Sequence, residues 1–246
     1  IPATLEGKAM HNVQNAMFAA SMAFSLGVSL DSIRQGLRTF DTSFFQAPGR
    51  MNVYSEHPFK VILDYGHNAH AVGVMTDLIQ RMDVANRKVV VLAAPGDRRD
   101  EDILDIADVV TGKYDVYVLK RDDGLRGRDG DEVPRLLAER LKANGVPEAA
   151  IHVIPDEQQA IDAALNMAEA GDLLLIFGDA LARCWKQITK FNPDGEVANQ
   201  IVVKKQVADS NAAMAAWLNQ NEANYIPIEG ITRDERGIVI QPEQDD

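Results

Sequence analysis

The sequence predicts an α/β fold, a Rossmann-like, mostly parallel sheet flanked by helices and preceded by a short helical segment. Three observations lead there. Runs such as KVVVLAA at 88–94 and DLLLIFG at 172–178 are almost wholly apolar, as strands buried on both faces must be. These runs alternate with segments of helical periodicity, and that alternation implies right-handed parallel crossovers. Finally, the stretch Phe59 to Leu63, apolar apart from Lys60, gives way abruptly to Asp64, Tyr65, Gly66, His67 and Asn68 before a helical pattern starts at Ala69. A buried strand that ends in a short polar loop and then a helix presents ligand-binding groups beyond the carboxyl end of the strand.

Taken in order, Met10 to Leu26 places Val13, Met17, Ala20 and Phe24 at three- and four-residue steps, and Gly27 stands where a helix stops. Ser29 is placed to cap a second helix in which Ile33, Leu37 and Phe40 share a face and Asp31 lies in the first turn. A polar link with Pro and Gly runs from Asp41 to Gly49, and a domain boundary is placed after residue 41. Strands at 51–55, 59–63, 88–93, 115–119, 151–154 and 173–177 then alternate with helices at 70–82, 100–112, 131–143, 156–170 and 179–190. Residues 42–192 thus form one domain with a sheet of about five or six strands. Beyond residue 193 the regularity weakens. NPDG reads as a turn, QIVV as a short strand, SNAAMAAWLNQ as one modest helix and QPEQDD as a frayed end, which makes 193–246 an extension of unassigned role.

Composition narrows the partners. The 246 residues carry 37 acidic and 25 basic side chains, and a net charge of −12 argues against nucleic acid or a membrane surface as partner. The same charge favours a cationic substrate, although an acidic balance more often serves solubility alone. The single cysteine, Cys184, excludes an internal disulfide and a thiolate metal cluster, so a reducing cytoplasm is expected. No apolar run approaches the about 20 residues of a membrane span, and no basic-then-apolar signal opens the chain. The first residue is Ile1 rather than Met, as in an excised fragment.

Several side chains are candidates for chemistry, each with a plainer alternative. Asn12 and Asn15 lie three apart on one helical face, where amides both donate and accept as the edge of an adenine ring requires; Asn12 is equally a helix cap. Arg50 follows Pro48 and Gly49, so a rigid turn would aim its guanidinium at a phosphate, or it is an ordinary surface arginine. Asp64 at a strand end would accept from ribose hydroxyls or cap the helix that follows. His67 and His70 are three apart, but with no nearby Cys and only Asp64 in reach the set is too thin, and no metal is expected. PGDRRDED, with Arg98 and Arg99, opens a helix and would hold an anion, or its acids merely complement the helix dipole. DDGLRGRDG lacks a G-x-G-x-x-G fingerprint and is by default a solvated loop, yet Asp122 and Asp123 are placed to bind a cation. Asp179 reads as an N-cap. No G-x-x-x-x-G-K-[ST] occurs, because Gly7-Lys8 is followed by Ala9.

HNVQN, the PGR turn, DYGHN after one strand and GDRRD after the next together resemble the carboxyl-terminal part of the Mur ligase family, in particular its cyanophycin synthetase branch, to which TFDTSFFQAPGRMNV, VLAAPGDRRDEDI and FGDALARCWKQI are similar. The resemblance covers about residues 5–192. It implies a Mur ligase C-terminal domain over 42–192, with 1–41 as the helical tail of the central, ATP-binding domain. It also implies an ATP- and Mg²⁺-dependent ligase that joins arginine to polyaspartate side chains through an acyl phosphate. Asn12 and Asn15 would then contact adenine, and Arg50 and Asp64 the α-phosphate and ribose. His67, Asn68, Arg98, Arg99, Asp122 and Asp123 would surround the incoming amine. The family's DYAHNP reads DYGHNA here, and the P-loop and central-domain metal ligands are missing. The chain alone is therefore expected to be inactive and completed by N-terminal domains, with self-association into a homo-oligomer an open alternative. The alternative is a non-catalytic nucleotide-binding or regulatory module that has retained the fold.

Overall fold

The computed structural model describes residues 1–192, 231–234 and 237–240. Residues 1–193 form one compact unit and 194–246 another. In the second, β7 (Ile231–Asp234) and β8 (Gly237–Ile240) pair antiparallel. The turn, strand, helix and frayed end expected between 193 and 246 lie outside the described residues.

The first unit opens with α1 (Met10–Ser25) and α2 (Leu30–Thr39), and the latter is capped by Ser29 as its sequence predicts. There follow β1 (Asn52–Tyr54), β2 (Lys60–Asp64), α3 (Ala69–Arg81), β3 (Lys88–Leu92), α4 (Asp100–Val110) and β4 (Val116–Leu119). The unit ends with α5 (Glu132–Ala143), β5 (Ile151–Val153), α6 (Glu157–Met167), β6 (Leu173–Phe177) and α7 (Leu181–Lys190). One sheet holds the strands in the order β1-β2-β6-β3-β4-β5, parallel throughout except that β1 runs antiparallel to β2.

Side chains alternate across the sheet with the two-residue period of a strand. Leu173, Leu175 and Phe177 join the core beneath α3, α4 and α5, while Leu174 and Ile176 join Ile161, Leu165 and Ile188 of α6 and α7 on the other face. Covering both faces explains why these strands read as unbroken apolar runs. Helix α6 ends at Met167, before the expected 170, because Asp172 turns the chain back: its Oδ2 accepts the Glu169 N–H at 2.8 Å. The first two helices also differ from expectation, since neither buries a single residue. Met17 and Phe24, on the predicted apolar face of α1, are 64% and 63% exposed. The two helices touch, and Ala16, Ala20 and Ala23 of α1 with Ile33 and Leu37 of α2 line a groove of about 420 Å³.

Candidate functional site

Two cavities open near the carboxyl ends of the parallel strands, where β2, β6, β3 and β4 release their loops side by side. The first, about 280 Å³, is built around the turn that precedes β1. Fully buried Asn52 ties this turn down, with Oδ1 accepting the Gly49 N–H at 2.7 Å and Nδ2 donating to the Thr42 and Ala47 carbonyls. Gly49 and Met51 are both left-handed, at φ 68° and 51°, and a Cβ on Gly49 would lie 2.5 Å from Leu181 Cδ1. Met51 is a buried, non-glycine residue in that strained region, held there because its N–H donates to Asp64 Oδ2 at 2.9 Å. Arg50, between them, stands exposed with no ion-pair partner among the described residues.

Asp64 is buried, and its other oxygen accepts the Gly66 N–H at 2.8 Å. Burial pushes its pKa up, against the pull of these two N–H groups, Arg50 and His11. Burial likewise lowers the pKa of His11, against the field of Asp64. Asp64 does not cap α3; Asn68 does, accepting the Ala71 N–H at 2.9 Å. Nor does Asn12 cap α1, whose N-cap is Ala9. Instead its Nδ2 donates to the Ala3 carbonyl at 2.8 Å and its Oδ1 accepts from Asn15 Nδ2 at 3.2 Å. Asn12, Asn15, Arg50 and Asp64 thus line one cavity with His11 and His70, although three separate segments supply them.

The second cavity takes Tyr65, Gly66 and His67 from the loop after β2, Pro95 and Arg98 from that after β3, Asp122 and Arg126 from that after β4, and Gly178 and Asp179 from that after β6. His67 and His70 therefore face different cavities and do not converge. The Arg98 guanidinium and the Asp122 carboxylate make no side-chain hydrogen bond or ion pair among the described residues, and burial pushes the Asp122 carboxyl up, partly offset by Lys120. The other residues of the predicted cluster are engaged elsewhere. Arg99 pairs with Asp102 at 2.8 Å, Asn68 caps α3, and Asp123 binds Arg183 at 2.7 Å. Asp179 is not the cap of α7, a position held by Ala180; its Oδ2 accepts the Asp123 N–H at 3.1 Å.

The DDGLRGRDG segment is solvated at 123–127 and at Asp129, as expected of a loop, yet it is fastened to the loop after β3. Arg128 reaches from it to the Gly96 and Arg98 carbonyls at 2.8 and 2.6 Å and to Asp100 at 2.7 Å, and a Cβ on Gly96 would strike the Leu125 carbonyl at 2.3 Å. Sequence reasoning passed over Arg126, the placement of Asp179 and the buried Lys120–Glu157 pair behind it. A lysine directly after an apolar strand was the available signal for that pair.

Comparison with known proteins places these features in a family. The pattern of the Mur ligase, glutamate ligase domain matches residues 49–180. The cyanophycin synthetase of Nostoc sp. is 33% identical over 90% of this chain, which spans only 23% of that relative's length. A crystal structure of the UDP-N-acetylmuramate-alanine ligase from Thermotoga maritima shares the fold at a TM-score of 0.53 and 17% identity, over 72% of this chain and 37% of that one. E. coli FolC, solved in complex with ADP, superposes with a TM-score of 0.51 and 26% identity, over 65% of this chain and 35% of its own.

Proposed function

The chain belongs to the Mur ligase family through its glutamate ligase domain, and from that premise we propose that it is the carboxyl-terminal portion of an ATP-dependent amide-forming ligase of the cyanophycin synthetase type. Residues 1–41 would be the helical tail of the central domain and 42–192 the terminal domain. The complete enzyme would add arginine to polyaspartate side chains through an acyl phosphate, with this portion holding nucleotide and amine.

The observation that carries this reading is the convergence of Asn12, Asn15, Arg50 and Asp64 on one cavity. Their chemistry suits ADP or ATP. Paired amides match the edge of a base, an unpaired guanidinium suits a phosphate, and each Asp64 oxygen, already accepting one N–H, keeps a lone pair for a ribose hydroxyl. The turn supplies preorganisation, because Arg50 is fixed between two left-handed residues before any ligand arrives. In the second cavity Asp122 and Asp179 would face the cationic end of the amine, and Arg98 or Arg126 its carboxylate. Among the described residues no three His, Cys, Asp or Glu side chains are grouped to hold a metal ion. The Mg²⁺ ligands, like the P-loop that no stretch of the sequence supplies, would belong to the rest of the ligase.

Calorimetric titration with ADP tests the nucleotide site. Saturable binding by the wild-type chain is expected, weakened by about ten- to a hundredfold in Arg50→Ala, the equivalent of one charge-assisted hydrogen bond. Unchanged affinity in that variant would refute the phosphate assignment. Sustained ATP hydrolysis by the purified chain, abolished by Asp64→Ala, would overturn its reading as an incomplete enzyme.

A further inference from the structure

Glu157, the first residue of α6, is 1% exposed, yet it is a carboxylate that bonds Asp179 at the rim of the second cavity and the start of α7 beside it. Its Oε1 accepts the Asp179 N–H at 2.7 Å, and its Oε2 accepts the Ala180 N–H at 3.2 Å and Arg183 Nη2 at 2.6 Å. The same Arg183 nitrogen reaches Asp123 Oδ2 at 2.7 Å, and the Asp123 N–H closes the circuit on Asp179 Oδ2 at 3.1 Å. Lys120, fully buried directly after β4, approaches Glu157 Oε1 to 3.0 Å as an ion pair but completes no hydrogen bond. One buried carboxylate therefore anchors both loops that carry the acidic residues of the cavity, the segment after β4 with Asp122 and the segment after β6 with Asp179.

We propose that Glu157 is a positioning residue for recognition of the amine: it sets the separation of Asp122 and Asp179, and so selects a cationic over a neutral side chain. This rests on the reading of the second cavity as the amine site. Arg183 relays the constraint to Asp123, which explains why Asp123 is turned away from the cavity while its neighbour Asp122 is left unpaired within it.

The test uses the 246-residue chain, with arginine and its neutral isostere citrulline as probes and ADP as internal control. Glu157→Gln strands the Lys120 ammonium and would fold poorly, so the decisive protein is the double variant Lys120→Met with Glu157→Gln, which removes the ion pair as a unit. In this variant, calorimetry is expected to show arginine affinity reduced by about tenfold or more, the arginine-to-citrulline preference largely lost, and ADP affinity unchanged. Hydrogen exchange at the Asp179 and Ala180 amides should accelerate together with that loss. Wild-type arginine preference in a double variant that folds would overturn the role of Glu157 alone. If the wild-type chain itself shows no preference for arginine over citrulline, the amine reading of the cavity fails, and the role of Glu157 fails with it.

Discussion

Helices α1 and α2 bury none of their residues, whereas all five residues of β6 are buried. Helix α1, like β6, is rich in apolar side chains, so apolar content alone does not decide which of these two is buried. What separates them is packing: β6 sits between β2 and β3 with helices on both faces, while α1 and α2 rest on each other and on the segment at Ala3 and Thr4. Met17, Phe18, Met22, Phe24 and Leu26 are all more than 60% exposed. Large apolar side chains are seldom left exposed at this density along one helix. The comparison teaches that apolar side chains form the core in one place and are left exposed in the other. It also shows that the nucleotide candidates straddle the two, with Asn12 and Asn15 on α1 and Arg50 and Asp64 on the sheet side.

The largest effect that would sharpen this contrast comes from matched truncations. Leu175→Ala, at a fully buried position in the middle of β6, should cost about 2–5 kcal/mol. Met17→Ala on α1 should stay within about 0.5 kcal/mol, because its side chain is already in water. Equal losses in urea melts of the two variants would break the comparison.

A second effect concerns acid. The Lys120 ammonium, backbone N–H groups and Arg183 hold Glu157 down, despite burial, from 4.5 to about 2. A depressed folded-state pKa contributes stability that is present above the unfolded value and lost as pH falls toward the folded one. The wild-type sheet unit should therefore lose stability between about pH 4.5 and pH 2 more steeply than the Lys120→Met, Glu157→Gln double variant. Parallel pH profiles of the melting temperature for the two proteins would remove Glu157 from the account.

The smallest effect compares two caps. Asn68 accepts the Ala71 N–H at the start of α3, and Ser29 accepts the Ser32 N–H at the start of α2. Each Ala substitution removes an interaction worth about 1 kcal/mol. Asn68→Ala should lower the midpoint of global unfolding, because α3 is part of the core, whereas Ser29→Ala should fray α2 and leave the midpoint of the sheet unit in place. Circular dichroism at low denaturant, set beside the tertiary melt, distinguishes the two.

Much of the candidate site was legible because its signals are local. The strand-to-polar switch at Asp64, the Pro-Gly turn before Arg50 and the asparagine spacing on α1 each depend on a few neighbouring residues, and the structure gathers these side chains around one cavity. The cluster expected around the amine is gathered only in part. Of His67, Asn68, Arg98, Arg99, Asp122 and Asp123, only His67, Arg98 and Asp122 line the second cavity. Asn68 is consumed by a cap three residues on and Arg99 by a carboxylate one turn away, competitions that the spacing alone already contained. Asp123 is taken by an arginine on α7.

By itself, the sequence determined the strands and helices of residues 10–190, that the sheet is mostly parallel, and that its candidate loops follow β2, β3 and β4, but not the pair β7 and β8, because hydrophobic periodicity and turn chemistry are written in adjacent residues. Tertiary structure alone decided that β6 inserts between β2 and β3, that β1 runs antiparallel at the edge, that the apolar face of α1 is left uncovered, and that Asp179 rather than Asp123 joins Asp122. Each of these depends on which distant segment arrives alongside. Two neighbouring aspartates look alike in sequence, and only the arrival of Glu157 and Arg183 from α6 and α7 makes one a fastening and leaves the other a free charge.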